Sequence, residues 1–241
     1  MRCLVCGAAL TGEKRWEHLQ SVHLEPLGVT PEKILAYARE TARPLEVKPA
    51  SLTCLKPEAR IIYFSVDNAE LLIAFAHAHG SLPWREVVEW QILHEKAHLD
   101  CRELYEIPRG KAYVLSNAED YFINRYLLLE KYWPVCLMNA RCATAIRNLA
   151  PLPYALRDGY YYCTLATFLA YGAVTLADIH FLKPAEAKFV EIIAALFEKI
   201  KEAKDVSPVG AEIYQAFIGL YPPRGAWDGW QIPDSIPEGN T

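Results

Sequence analysis

The sequence predicts a predominantly helical α+β protein with a small Cys/His-rich module at its N-terminus. Three observations lead there. Ile61-Ile62-Tyr63-Phe64-Ser65-Val66 has the β-branched and aromatic content of a strand, and little else in the chain competes with it. Most of the chain beyond that strand reads as helices opened by Ser, Asn or Pro and closed by Gly. The first 25 residues gather two cysteines and two histidines at ligand spacing.

The 241 residues are enough for one substantial domain plus a small module, and 52% hydrophobic against 22% charged residues is ordinary globular composition. A net charge of −4 and pI near 6.0 supply no overall basic field for nucleic acid or an anionic membrane. No apolar run approaches the roughly 18–20 residues needed to span a bilayer, and no signal-peptide pattern opens the chain, so a cytoplasmic protein with no membrane partner is expected. Seven cysteines without regular spacing argue against a disulfide framework; those outside the first module read as buried thiols.

In chain order, residues 1–25 form the Cys/His module and 26–44 a helical linker, with a helix from Glu32 to Arg43 after Pro31. Residues 45–221 form the main domain. It opens with an extended stretch from Leu45 to Leu55 broken by Pro49, then the strand at Ile61. A helix from Asn68 to His79 closes at Gly80, and Ser81 with Pro83 opens another to about Glu103. Pro108-Arg109-Gly110 marks a turn and Lys111 to Leu115 a short strand; Ser116 or Asn117 caps a helix running to about Trp133. Further helices are expected at 135–149, 159–171, 184–204 and 209–220, and an irregular Pro/Gly-rich tail at 222–241.

The helix after Pro83 carries His94-Glu95-Lys96-Ala97-His98. Residues four apart share a helix face, so both imidazoles can bind one metal ion, while Glu95 is turned by about 100° towards a water on that metal. Zinc there would lower the water pKa to about 7 and polarise a carbonyl, with Glu95 as general base. Trp84, Val87, Val88, Trp90, Ile92, Leu93 and Leu99 make the helix apolar on most sides, and buried imidazoles need partners. The continuation HxxGxxH is excluded, since Cys101 and Leu104 stand where its Gly and His would be.

Asn117-Ala118-Glu119-Asp120-Tyr121-Phe122-Ile123-Asn124 places Glu119 and Asp120 21 and 22 residues beyond His98. Together with HExxH, this segment resembles the zincin metallopeptidases with a carboxylate third ligand, in particular those whose second helix reads Ala-x-Asp, three mostly apolar residues and Asn. The resemblance covers roughly residues 60–130. It implies a zincin-like catalytic domain holding one zinc by His94, His98 and Asp120, with Glu119 as the rival ligand. It also implies that Asn124 supports a ligand histidine from outside the coordination shell. An oxyanion donor is expected among Tyr154, Arg157, Tyr160, Tyr161, Tyr162 and His180. His77 and His79 lie on different sides of a helix and suit its C-terminal dipole rather than a metal.

Cys3-x2-Cys6-x11-His18-x4-His23 offers two thiolates and two imidazoles for a tetrahedral structural zinc. It resembles the two-Cys two-His zinc finger, with Leu10 and Trp16 near that family's core positions. Glu13 and Glu17 interrupt the charge of Lys14, Arg15 and Gln20, so protein contact is the readier role for the finger, with nucleic acid as the other. The expected function is a zinc metallopeptidase acting on a peptide or protein, with one catalytic and one structural zinc. The alternative is a non-catalytic zinc-binding adaptor or nucleic-acid-associated regulatory protein on a zincin-like fold.

Overall fold

The computed structural model describes residues 2–11, 14–102, 112–153, 157 and 159–220. Helices dominate, with one three-stranded sheet, in agreement with the α+β expectation. The expected turn at 108–110 and tail at 222–241 lie outside the described residues. Among those described, no helix is long and apolar enough to cross a membrane. The chain divides into two compact units.

The first unit comprises Met1–Ala97 and Leu129–Cys142. Helix α1 (Arg15–His18) runs into a π-helical stretch, Leu19–Leu24. Helix α2 (Pro31–Ala42) starts where Thr30 Oγ1 accepts from the Lys33 amide and Pro31 occupies the first turn. Strands β1 (Glu46–Pro49), β2 (Cys54–Lys56) and β3 (Ile61–Phe64) form a sheet in the order β1-β3-β2. β1 runs parallel to β3 with Val47 opposite Ile62, and β2 antiparallel with Leu55 opposite Ile62. The two-residue period of β3 buries Ile62 and Phe64 completely. Ser65 caps α3 (Val66–Gly80) by accepting from the Asn68 amide, and Ser81 in the left-handed region ends it. Gly80 lies against Leu82 and Met138, the latter on α6 (Trp133–Leu149).

Helix α4 (Trp84–Arg102) carries HExxH through 19 residues, as expected. Its apolar side buries Val87, Val88, Trp90, Ile92, Ala97 and Cys101.

The described part of the second unit lies within His98–Leu128 and the residues from Ala143 to Leu220. Here α5 (Ala112–Phe122) packs on α7 (Gly159–Ala170) and α9 (Val206–Leu220), while α8 (Pro184–Phe197) packs on α7 and α9. Tyr162, Leu165, Phe189, Ile193, Phe197, Val206 and Ile213 form its core.

Three expectations are corrected. The strand at Lys111–Leu115 is instead the start of α5 from Ala112 onward. Burial of Val114 and Leu115 overrides the β-branched signal: Leu115 Cδ2 fills the space beside Gly210 of α9, where a Cβ would come within 2.6 Å of it. The single helix to Trp133 is three pieces. α5 gives way at Ile123 to a π-helix ending at Leu127, Leu128 and Leu129 are extended, and a 3-10 turn spans Glu130–Tyr132. The helix at 184–204 stops at Phe197, because Asp205 Oδ2 accepts from the amides of Lys201 and Glu202 and starts a separate 3-10 turn at Ala203.

Candidate metal centres

His94 and His98 lie one turn apart on the same face of α4. Asp120 comes from α5, its Oδ1 3.3 Å from His98 Nε2. One ligand atom from each of His94, His98 and Asp120 lies within 4.8 Å of the others. A zinc ion bound at about 2.0–2.1 Å to nitrogen and 2.0–2.2 Å to oxygen would hold two such atoms roughly 3.4 Å apart at a tetrahedral angle. The 3.3 Å separation fits that edge, and is longer than the roughly 2.7–2.9 Å of a charge-assisted hydrogen bond.

The opposite edge of the same ring faces the other carboxylate: Glu119 Oε1 is 3.0 Å from His98 Nδ1. That oxygen is buried and, among the described residues, makes no hydrogen bond, although the ring nitrogen lies beside it. A buried carboxylate oxygen needs a donor. Metal on Nε2 would keep the proton on Nδ1 and turn the contact into a donated hydrogen bond, so the orphaned oxygen fits a metallated ring. Glu119 is buried while Asp120 is partly open to solvent, which suits one to orient and the other to ligate.

Glu95 is buried on the next position of α4. Burial first, and the charge of Glu95 second, push the Cys54 thiol of β2 up to about 11, so the thiol stays protonated beside the carboxylate. The Trp90 ring lies 6.0 Å from that of His94 and forms an apolar wall.

Asn124 donates from Nδ2 to the Asp120 backbone carbonyl at 3.0 Å and to Tyr171 Oη at 3.1 Å. Sequence reasoning placed Asn124 behind a ligand histidine and did not single out Tyr171, whose hydroxyl also donates to the Asp120 carbonyl, at 3.2 Å. No spacing signal links two residues 51 apart. Glu119 was seen only as a rival ligand, because sequence cannot tell which edge of an imidazole a carboxylate meets.

Of the oxyanion candidates, Arg157 and Tyr162 both hold Glu186, at 2.8 and 2.5 Å. The Tyr161 ring lies under the guanidinium groups of Arg147 and Arg157, at 5.5 and 5.9 Å. Tyr160 is exposed, the His180 amide donates to Asn148 Oδ1, and Tyr154 lies outside the described residues. His77 and His79 occupy the last turn of α3, where the His79 ring rests 4.3 Å from Phe75.

The second cluster is at the N-terminus. Cys3 and Cys6 sit on a knuckle closed by the Arg2–Ala9 bridge, the Cys3 amide on the Ala8 carbonyl, and Gly7 with φ +73°. Cys3 Sγ is 3.6 Å from His23 Nε2 and Cys6 Sγ 3.3 Å from His18 Nε2. A tetrahedral zinc site with bonds of about 2.3 Å to sulfur and 2.0 Å to nitrogen sets such pairs roughly 3.5 Å apart. The five-residue step between the histidines is too long for one α turn and is accommodated by the π-helix from Leu19, which brings the rings to 5.2 Å. Trp16, expected in the finger's core, is 43% exposed; Val5, Leu19 and Leu24 are buried in its place. The π turn directs Leu19 and Leu24 inward, and Gln20 Nε2 donates to the buried Glu70 of α3 at 2.5 Å.

Both clusters can hold a metal ion. No protein-family model, curated protein or solved structure matches this chain. Its function is therefore read from the geometry of these side chains.

Proposed function

We propose that the chain is a zinc-dependent metallopeptidase. The observation that carries this reading is the convergence of His94, His98 and Asp120 with a buried Glu95 one residue from the first ligand. Three protein ligands leave a coordination position open, the hallmark of a catalytic rather than a structural zinc. Bound there, zinc would supply Lewis acidity for a scissile carbonyl and lower the pKa of the attacking water.

The protein's own groups do the rest. His94 and His98 bind through their ring nitrogens, and Glu119 holds the His98 ring in the tautomer with its proton on Nδ1. Asp120 adds negative charge through a carboxylate oxygen. Glu95 takes a proton from the water at its carboxylate and passes it to the leaving amine nitrogen.

The N-terminal cluster supports a structural zinc with all four positions filled by protein. Its contact with Glu70 supports a scaffolding role, with protein rather than nucleic acid as any outside partner.

The test is metal analysis of purified protein with cleavage of an unfolded protein substrate. Two zinc ions per chain and cleavage abolished in Glu95→Gln are expected. A wild-type protein holding only the finger zinc would leave the adaptor reading in its place.

A further inference from the structure

We infer that Tyr171 is a positioning residue for the Asp120 carboxylate, acting through the Asp120 backbone; this rests on the metal site proposed above. Asp120 lies three residues before Ile123, where α5 changes from α to π geometry. Such a change widens the turn and leaves carbonyls open to other donors, and π segments recur at functional sites for that reason. At this one the Asp120 carbonyl takes two side-chain donors, Asn124 Nδ2 at 3.0 Å and Tyr171 Oη at 3.2 Å.

Donors and acceptors match. The single Tyr171 hydroxyl proton goes to the carbonyl, and the hydroxyl oxygen accepts from the Asn124 amide at 3.1 Å, so the three groups form a ring. Cooperative rings of this kind resist displacement more than isolated bonds.

Tyr171 is itself held firmly. It follows α7 directly, its amide donates to the Thr167 carbonyl, and Gly172 turns the chain with φ +68°. Its ring stacks on Tyr121 at 5.5 Å and 8° between planes, and Tyr121 in turn stacks on Phe197 at 5.8 Å. The hydroxyl is therefore a fixed post delivered from α7 to the backbone of a ligand on α5. Only two side-chain torsions separate that backbone from the carboxylate, and a metal site tolerates displacements of only about 0.5 Å.

The experiment compares wild type, Tyr171→Phe, Asn124→Ala and Asp120→Ala by zinc competition against a chromophoric chelator and by the absorption of the cobalt-substituted protein. The finger is recognised by thiolate-to-cobalt charge transfer; the two-His, one-carboxylate site has only ligand-field bands. Wild type should bind two equivalents, and Asp120→Ala should lose the one without charge transfer. Tyr171→Phe keeps the ring stack and removes only the hydroxyl. It should weaken that equivalent by about 10-fold or more, alter its ligand-field bands, and leave the finger equivalent unchanged. Asn124→Ala should do the same and serves if Tyr171→Phe does not fold. Wild-type affinity and bands in a folded variant, with only the thermal midpoint lowered, overturn the inference by showing a purely structural hydroxyl. A single equivalent in wild type instead refutes the metal site itself.

Discussion

Glu119 Oε1 lies 3.0 Å from Nδ1 of His98, on the ring edge away from the nitrogen that meets Asp120. Adjacent residues of α5 thus divide the two nitrogens of one imidazole. In the proposed site this separates two carboxylates that are interchangeable by spacing alone, with Asp120 as the ligand and Glu119 as the orienting group. Asp120→Ala should abolish binding of the second metal equivalent. Glu119→Gln should keep it with affinity reduced about 10–100-fold, since an amide still meets the ring but carries no charge. Chelator competition on both variants checks the assignment; equal losses would reverse it or merge the roles.

Glu95 follows His94 on α4 and is buried, and the proposed mechanism makes it the general base rather than a ligand. Glu95→Gln is close to isosteric. It should retain two metal ions per chain while peptide cleavage falls by about 10²–10⁴-fold, the usual contribution of a general base. Loss of metal together with activity would mean that Glu95 is a ligand and the mechanism is misassigned.

The finger is tied to α3 by Gln20 on Glu70, with Leu19 and Leu24 buried. Its metal should therefore stabilise more than the first 25 residues. Cys6→Ser should lower the thermal midpoint of the first unit by about 5 °C or more and expose α3 amides to hydrogen exchange. An unchanged midpoint with a frayed N-terminus would show an autonomous finger.

Much of this was legible from the sequence because the signals were local. The histidine spacing in HExxH, Pro31 at the start of α2, Gly80 at the end of α3 and the Cys/His knuckle each depend on residues a few positions apart. What stayed hidden depends on contacts distant in the chain. Val114 and Leu115 read as strand because nothing local reveals Gly210 packing against them. Trp16 read as core because sequence does not show the π turn that buries Leu19 and Leu24. Tyr171 was lost among fourteen tyrosines, since its role comes from meeting a carbonyl 51 residues away.

The same distance dependence hid the contact of Arg157 and Tyr162 with Glu186. Both act on Glu186, whose side chain is 1% exposed, and the Arg157 partner is itself 8% exposed. Removing one member of a buried pair leaves an uncompensated charge, so Arg157→Leu should destabilise the second unit by about 3–5 kcal/mol. The pair also sets a pH dependence. Burial is the largest single influence on Glu186 and pushes its carboxyl up; hydrogen bonds from Tyr162, the Lys183 amide and Arg157, with the Arg157 charge, outweigh it and hold the group below its ordinary 4.5. A depressed folded-state pKa means that the stabilisation is present above about pH 4.5 and is lost as pH falls through the folded value. Glu186→Gln should be less stable than wild type at pH 7, and the gap should narrow below pH 4.5. Denaturant titrations of both proteins from about pH 7 to about pH 3 measure this, and a gap constant over that range would show that the ionised carboxylate contributes nothing to the fold.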